Sequence, residues 1–572
     1  MKYIFSINEP NERFLAITMK IDIAKNTEFI ELQLPSWRPG RYELGNFAKN
    51  IKAFEVFDSE GNPVVFSKSA KDCWRLKNAN GLLTVKYKYF AAQLDAGACW
   101  LDRDQLYVNP IHCCMYVAGR ENESCEVVLE IPNDWKIASG LKQSEKNVLY
   151  AENYEQLVDS PFIASPNLNH ASYVLNGVTF NIWIQGICNP DWPKVISDFE
   201  EFTKVQLETM KEFPAKDFHF LIQVLPFPFY HGVEHLNSTV LAIGPGYNFM
   251  KPDLYNDLIG VASHELFHCW NVKSIRPIEM LPYNYTRENY SQSGFIYEGV
   301  TTYYGDLFLG RSGFFSFQQM LTEFSVRLQK HADNPGRYNY SVTESSFDTW
   351  LDGYVPGVPG RKVSIYDEGC LIALLLDFMI RSSTQSKKSL DQVMQLLYFD
   401  FGKKGKGYTS TDYKEIAEFV SGRSFDTFFA EHIFKASSLI SLIGEVVSLA
   451  GIKIVQTPAV IAHEKLLGFR TDIKGLGNVV SAVFPGSPAH KSGLLKDDEI
   501  IAVNGTKVES NLLDLVNFSS DEKIEFTLFS NRKLCSLKME KDTNQYYCKY
   551  SLESELELTA SQVEFRHQWI KR

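Results

Sequence analysis

Residues 264–268 read His-Glu-Leu-Phe-His, and the stretch leading into them, Asp257-Leu-Ile-Gly-Val-Ala-Ser263, is apolar at helical spacing. Positions i and i+4 of an α-helix share one face, so the pattern predicts a helix presenting two imidazoles side by side. Two such imidazoles can hold one zinc ion, and Glu265, about 100° round the helix, can reach a water at the same place. The bland alternative is a pair of packed or solvated histidines. A catalytic zinc needs a third protein ligand and one open position. Downstream, Tyr297-Glu-Gly-Val-Thr-Thr-Tyr-Tyr304 opens another helix, and Glu298 is the expected third ligand. Its bland reading is a first-turn acid that favours the helix dipole. With His264, His268 and Glu298 as ligands, zinc would polarise a carbonyl and lower the pKa of water, while Glu265 takes the water proton and passes it to a leaving amine.

The rest of the chain gives this helix a setting. At 572 residues, a prior of about 150 residues per domain suggests three or four domains. With 45% apolar and 22% charged residues the composition is that of a globular protein, and nothing points to extensive disorder. The net charge is −11 without a long basic run, which argues against nucleic acid as a partner. No stretch approaches the roughly 20 apolar residues that span a bilayer, so no membrane partner is expected. The start, MKYIFSINEPNERF, lacks a signal-peptide pattern, and ten scattered cysteines without C-x-x-C read as free thiols. Together these give a cytoplasmic expectation.

Residues 1 to about 165 alternate like antiparallel strands, at 14–23, 51–57 and 83–90. Helical periodicity then appears at 192–213, 254–271, 298–310, 369–381 and 411–419, after a strand beginning at Phe218. Residues 334–361, rich in Gly, Pro, Tyr and Ser, read as a long irregular stretch of the kind that lines sites. Short strands return at 457–545, and the last residues are polar.

The run His264-Glu-Leu-Phe-His-Cys-Trp-Asn-Val-Lys-Ser-Ile-Arg-Pro277 resembles the active-site helix of the glycyl aminopeptidase family, and Tyr297–Tyr304 resembles its third-ligand segment. The resemblance covers nearly the whole chain. It implies a multidomain α+β protein: an N-terminal antiparallel β domain (1–168), a mainly α, thermolysin-like zinc peptidase domain (169–455), a PDZ domain (456–548) and a tail (549–572). It also implies that Tyr366, in Ser364-Ile-Tyr-Asp-Glu-Gly369, is the second oxyanion donor. Gly232-Val-Glu-His235 resembles the G-x-M-E-N segment of the wider aminopeptidase N group, whose glutamate grips the substrate's free α-amine. Carried over, Glu234 with Gly232 would bind substrate, since a carboxylate one residue from the cut bond pairs with an ammonium and excludes internal peptide bonds. The alternative for Glu234 is an edge-strand acid with a structural partner. Ser36-Trp-Arg-Pro-Gly-Arg-Tyr42 resembles the family's N-terminal W-x-P-G motif, a turn assigned no catalysis. Two departures stand out: Ser274 replaces an expected basic residue, and Glu368 replaces an expected lysine beside Tyr366.

Leu466-Leu-Gly-Phe469, Val483-Phe-Pro-Gly-Ser-Pro-Ala489 and Asp498-Glu-Ile-Ile-Ala-Val-Asn-Gly505 resemble a PDZ domain. The backbone of Leu467, Gly468 and Phe469 would then hold the C-terminal carboxylate of a peptide. The leading expectation is one zinc ion and removal of N-terminal residues, small ones such as Gly or Ala by family analogy, from peptides with a free N-terminus. Two other readings fit the same residues: an endopeptidase whose PDZ domain captures substrate tails, and a silent PDZ scaffold.

Overall fold

The computed structural model describes residues 1–24, 28–77, 80–355, 357–474 and 477–571. They form two compact units: residues 1–320, 335–450 and 558–572 in the first, and 321–334 with 451–557 in the second.

The first unit opens with strands, and alternation explains them. Along Phe14–Ile23, Leu15, Ile17, Met19, Ile21 and Ile23 are buried while their neighbours face outward. This strand pairs with Gly81–Phe90 without a slip from Phe14↔Phe90 to Ile23↔Gly81. Both belong to a seven-stranded sheet that also takes Ile51–Phe57 and Lys2–Ser6. One pairing departs from the antiparallel expectation: Lys2–Ser6 runs parallel to Cys125–Glu130. More than a hundred residues separate these strands, ample for the crossover a parallel pair requires.

The core above this sheet holds Tyr3, Phe5, Trp37 and Tyr42, and it continues through Val272, Met280, Tyr297, Trp350 and Ile365. Apolar burial therefore runs from the β-rich segment straight into the residues around the His-Glu-x-x-His helix. The later part of the unit has a five-stranded mixed sheet, ordered Asn169–Leu175, Val178–Gln185, Asp217–Val224, Ser238–Gly244 and Phe229–Glu234. Phe229–Glu234 is a terminal strand and runs antiparallel to Ser238–Gly244, with Glu234 opposite Thr239. Helices Trp192–Met210, Pro252–Phe267, Thr301–Ser312 and Asp367–Ser383 follow the predicted periodicity within a few residues.

Two segments are more regular than their composition suggests. Within 334–361, helices form at Val342–Phe347 and Thr349–Asp352, the former started by a capping box in which Ser341 and Glu344 satisfy each other's backbone. The polar end also folds: Lys549–Ser554 pairs with Ile452–Thr457 in the second unit, and Ala560–Ile570 is a helix of the first. That helix is fixed by Trp569, whose Nε1 donates to the Tyr303 hydroxyl at 2.9 Å and whose ring meets Phe378.

The second unit contains a sheet ordered Phe469–Lys474, Gly477–Val483, Glu499–Val503, Lys523–Ser530 and Lys533–Glu540, with Thr506–Lys507 paired to its third strand. Short helices at Pro488–Ser492 and Leu512–Phe518 close its core, which includes Leu467, Phe469, Val480, Ile500 and Phe526.

Candidate metal centre

The helix Pro252–Phe267 starts with proline at its first turn, where a missing N–H costs nothing, and ends as the motif does, with His268 as its C-cap. His264 Nε2 and His268 Nε2 stand 3.0 Å apart. Glu298 Oε2 is 3.5 Å from His268 Nε2 and 4.0 Å from His264 Nε2. Tetrahedral zinc with bonds near 2.0–2.1 Å sets its ligand atoms about 3.3 Å apart, so the three donors already hold close to that spacing. The His268 Nδ1 atom lies 2.6 Å from the Asn271 carbonyl, an acceptor only, which places a proton on Nδ1 and fixes the ring with Nε2 toward His264 and Glu298. Asn271 is itself fixed through Nδ2 to the Ile296 carbonyl at 2.9 Å and Thr301 Oγ1 at 3.1 Å.

Glu298 sits in a π-helical turn, Phe295–Val300, that runs into Thr301–Ser312. Such widened turns concentrate at functional sites. Its outer oxygen, Oε1, accepts a 2.8 Å hydrogen bond from Tyr42. Sequence reasoning gave the motif around Tyr42 no part in the site; the residues are 256 apart, and no local periodicity reports such a contact. The same turn packs by backbone: a side-chain carbon on Gly299 would collide with the backbone of Gly369, on Asp367–Ser383.

Glu265 and Glu234 complete the cluster. Potential ligand atoms of Glu234, Glu265 and His268 lie within 4.8 Å of one another. Glu234 is 4% exposed and Glu265 5%, and among the described residues Oε1 of the first and Oε2 of the second have no hydrogen-bond partner. Both Gly40 and Gly232 are needed here as glycines, since a Cβ would collide with Glu234 at the first and with Glu265 at the second. Burial raises the Glu265 carboxyl well above the usual range, and the charges of Glu234 and Glu298 add to it against the pull of His268. Burial also raises Glu298, opposed by hydrogen bonds from His268 and Tyr42. On His268, burial opposes the charge, yet Glu298, Glu234 and Glu265 push its pKa up to about 9. Three buried carboxylates with the two imidazoles of His264 and His268 form a donor set suited to a divalent cation.

Tyr366 precedes the helix Asp367–Ser383, half-buried, with its hydroxyl 3.4 Å from that of Tyr354. Burial and then Glu298 raise its pKa well above 10, so it is a neutral O–H donor at neutral pH. Tyr354, from the irregular stretch, was not singled out from sequence. Glu368 is buried in the first turn of that helix, where an acid favours the dipole. In the second unit, Gly468 takes a left-handed conformation (φ 73°) that caps the turn His463–Leu467, and its N–H donates to the Glu464 carbonyl at 3.2 Å. Leu467 and Phe469 are fully buried, and Phe469–Lys474 is the terminal strand of its sheet.

Three stretches of the chain match known families. Residues 2–166 match the family described as the peptidase M61 N-terminal domain, 257–372 match M61 glycyl aminopeptidase, and 479–528 match a PDZ domain. The crystal structure of an aminopeptidase N family protein from Idiomarina loihiensis superposes with a TM-score of 0.90 at 25% identity, covering 100% of both chains. An M1 zinc metallopeptidase variant from Deinococcus radiodurans, bound to a Tyr-Ser-Ala substrate, aligns over 76% of this chain and 93% of its own, with a TM-score of 0.46 and 13% identity. No curated protein matches the chain in sequence. With its centre assembled from residues of both M61-like segments and a PDZ domain following them, the chain is a metallo-aminopeptidase that is similar to the M61 glycyl aminopeptidases over these segments.

Proposed function

We propose that the chain uses one zinc ion, held by His264, His268 and Glu298, to remove single residues from peptides with a free N-terminus. Zinc supplies a Lewis acid for the scissile carbonyl and a lowered pKa for water. Glu265, beside the ligands and raised in pKa, accepts the proton of the attacking water and delivers it to the leaving amine. The Tyr366 hydroxyl donates to the oxyanion as charge develops there, and Tyr354 holds that hydroxyl in place. Small N-terminal residues such as glycine or alanine are the expected ones to be removed, and the matching family's description, which names glycine, supports this.

The observation that carries the exopeptidase reading is Glu234. Its buried, unpartnered carboxylate oxygen stands next to the catalytic cluster, where it can pair with an α-ammonium. An internal peptide bond has no such charge to offer and would leave the carboxylate buried and unpaired. The PDZ domain supports a second, separate binding event, an extended peptide added along Phe469–Lys474 with its C-terminus toward Leu467, Gly468 and Phe469.

The test compares amino-acid p-nitroanilides with N-blocked peptides on zinc-loaded protein and on Glu265→Gln. Turnover confined to free-amine substrates and lost in Glu265→Gln is expected. Cleavage of blocked peptides would establish an endopeptidase instead, and absence of turnover with zinc bound would leave a scaffold.

A further inference from the structure

Asp159 stands between two elements of the metal centre and is bonded to both. It closes the short helix Tyr154–Val158 as its C-cap, with its N–H turned back to the Glu155 carbonyl at 3.0 Å. From this fixed backbone, Oδ1 accepts from Lys273 Nζ at 2.7 Å and from His235 Nδ1 at 3.2 Å, and Oδ2 accepts from the Leu236 N–H at 2.9 Å. Lys273 and His235 are each 5% exposed, so these bonds form away from water, where polar contacts are strong and costly to leave unmade.

The two sides belong to different parts of the centre. Lys273 continues the chain that carries the histidines. Its N–H donates to the His268 carbonyl at 3.0 Å, and two residues earlier the Asn271 carbonyl takes the Nδ1 proton of His268. His235 and Leu236 follow Glu234 directly and lead into a tight turn, in which the His235 N–H donates to the Ser238 carbonyl at 3.0 Å. The strand Phe229–Glu234 is terminal in its sheet, hydrogen-bonded on one side to Ser238–Gly244. A strand held from one side has its end placed by whatever fixes the turn beyond it, and here that is Asp159.

An aminopeptidase selects its bond by the separation between the group that holds the α-ammonium and the metal, and a misplacement of about 1 Å can cost about 100-fold. Potential ligand atoms of Glu234 and His268 lie within 4.8 Å of one another. The link that sets this spacing runs from Glu234 through His235 and Leu236 to Asp159, and from Asp159 through Lys273 to His268. From this connection we infer that Asp159 is a positioning residue for amine recognition, holding the Glu234 carboxylate at the distance from the metal ligands that admits one substrate residue. The inference rests on the aminopeptidase reading, with Glu234 as the amine anchor, and deepens it.

The experiment reads binding rather than turnover. Calorimetric titration of the zinc-loaded protein compares L-alanine hydroxamate with propionohydroxamate, which differ only in the α-amine. Both bind the metal through the hydroxamate, so a change at the metal cancels in their ratio. In the wild type the amine is expected to tighten binding about 10- to 100-fold. In Asp159→Asn that ratio falls to within about threefold of one, while propionohydroxamate binds as in the wild type. If the single variant does not fold, Asp159→Asn with Lys273→Met, which leaves no buried ammonium unpaired, carries the same measurement with the same fall expected. A folded variant that keeps the wild-type ratio overturns the inference. So does one in which both hydroxamates weaken equally, the effect of a general loosening of the site. A ratio of one in the wild type instead removes Glu234 as the amine anchor, and the inference falls with that reading.

Discussion

The hydroxyl of Tyr42 donates to Glu298 Oε1 across 2.8 Å, so the N-terminal β-rich segment orients the carboxylate that faces the two histidines. The outer partners of metal ligands fix their orientation, and losing one typically costs 10- to 100-fold in metal affinity. Tyr42→Phe is expected to weaken zinc by about that factor with the fold retained. Competition with a chromophoric chelator measures it, and an affinity equal to wild type would remove Tyr42 from the centre.

Gly299 and Gly369 let the π-turn bearing Glu298 touch the helix that begins after Tyr366. Gly299→Ala forces a side-chain carbon against the Gly369 backbone, a form of overpacking that costs about 1–3 kcal/mol. Denaturant unfolding is expected to show that loss, together with reduced zinc affinity because Glu298 is displaced. Gly313→Ala is a poor control, since its φ of 82° brings strain of its own; Gly260, with open space around its Cβ position, serves instead.

Asp159 binds three partners: Lys273 Nζ at 2.7 Å, His235 Nδ1 at 3.2 Å and the Leu236 N–H at 2.9 Å. Burial works against its charge, yet Lys273 and His235 outweigh it and hold the carboxyl below its usual range. Lys273 is only 5% exposed. Asp159→Ala would strand that ammonium, a loss of about 3–5 kcal/mol, and the double variant with Lys273→Met should recover most of it. A double variant as unstable as the single would show that the loss comes from elsewhere.

The helix at 252–267 and the strands at 14–23 and 51–57 are readable from sequence because apolar spacing reports which face of one element is buried. Tyr42, Tyr354 and Asp159 are not, because each acts through a partner that only the fold brings near; Lys273 lies 114 residues from Asp159. The helix at 342–347 was hidden for another reason: its capping box sits among Gly, Pro and Tyr residues that mask a six-residue helix. The final helix is amphipathic only weakly and is held by individual contacts, Trp569 on Tyr303, Phe565 on Phe378 and Arg566 on the Ala450 carbonyl.

His463 stacks on Phe469, with ring centroids 4.9 Å apart, and burial pushes its pKa down to about 4. Its folded pKa lies below the unfolded value near 6.5, so the unfolded chain binds more protons between these values and stability falls as pH drops. The contribution is about 2 kcal/mol lower at pH 5 than at pH 7. His463→Gln should flatten that part of the pH profile in denaturant melts of the full chain; an unaltered slope would locate it in other groups.

The turn at Ser36–Tyr42 has a consequence for how such an enzyme can be divided. Trp37 Nε1 reaches the Asn284 carbonyl at 2.6 Å, Gly40 backs Glu234, and Tyr42 reaches Glu298. A gene fragment beginning at residue 169 would keep every residue of the His-Glu-x-x-His signature and still encode half a catalyst. Such a fragment would lose the hydroxyl that orients Glu298, the glycine that backs Glu234 and the indole that holds the Asn284 carbonyl, so the later segment is structurally incomplete by itself.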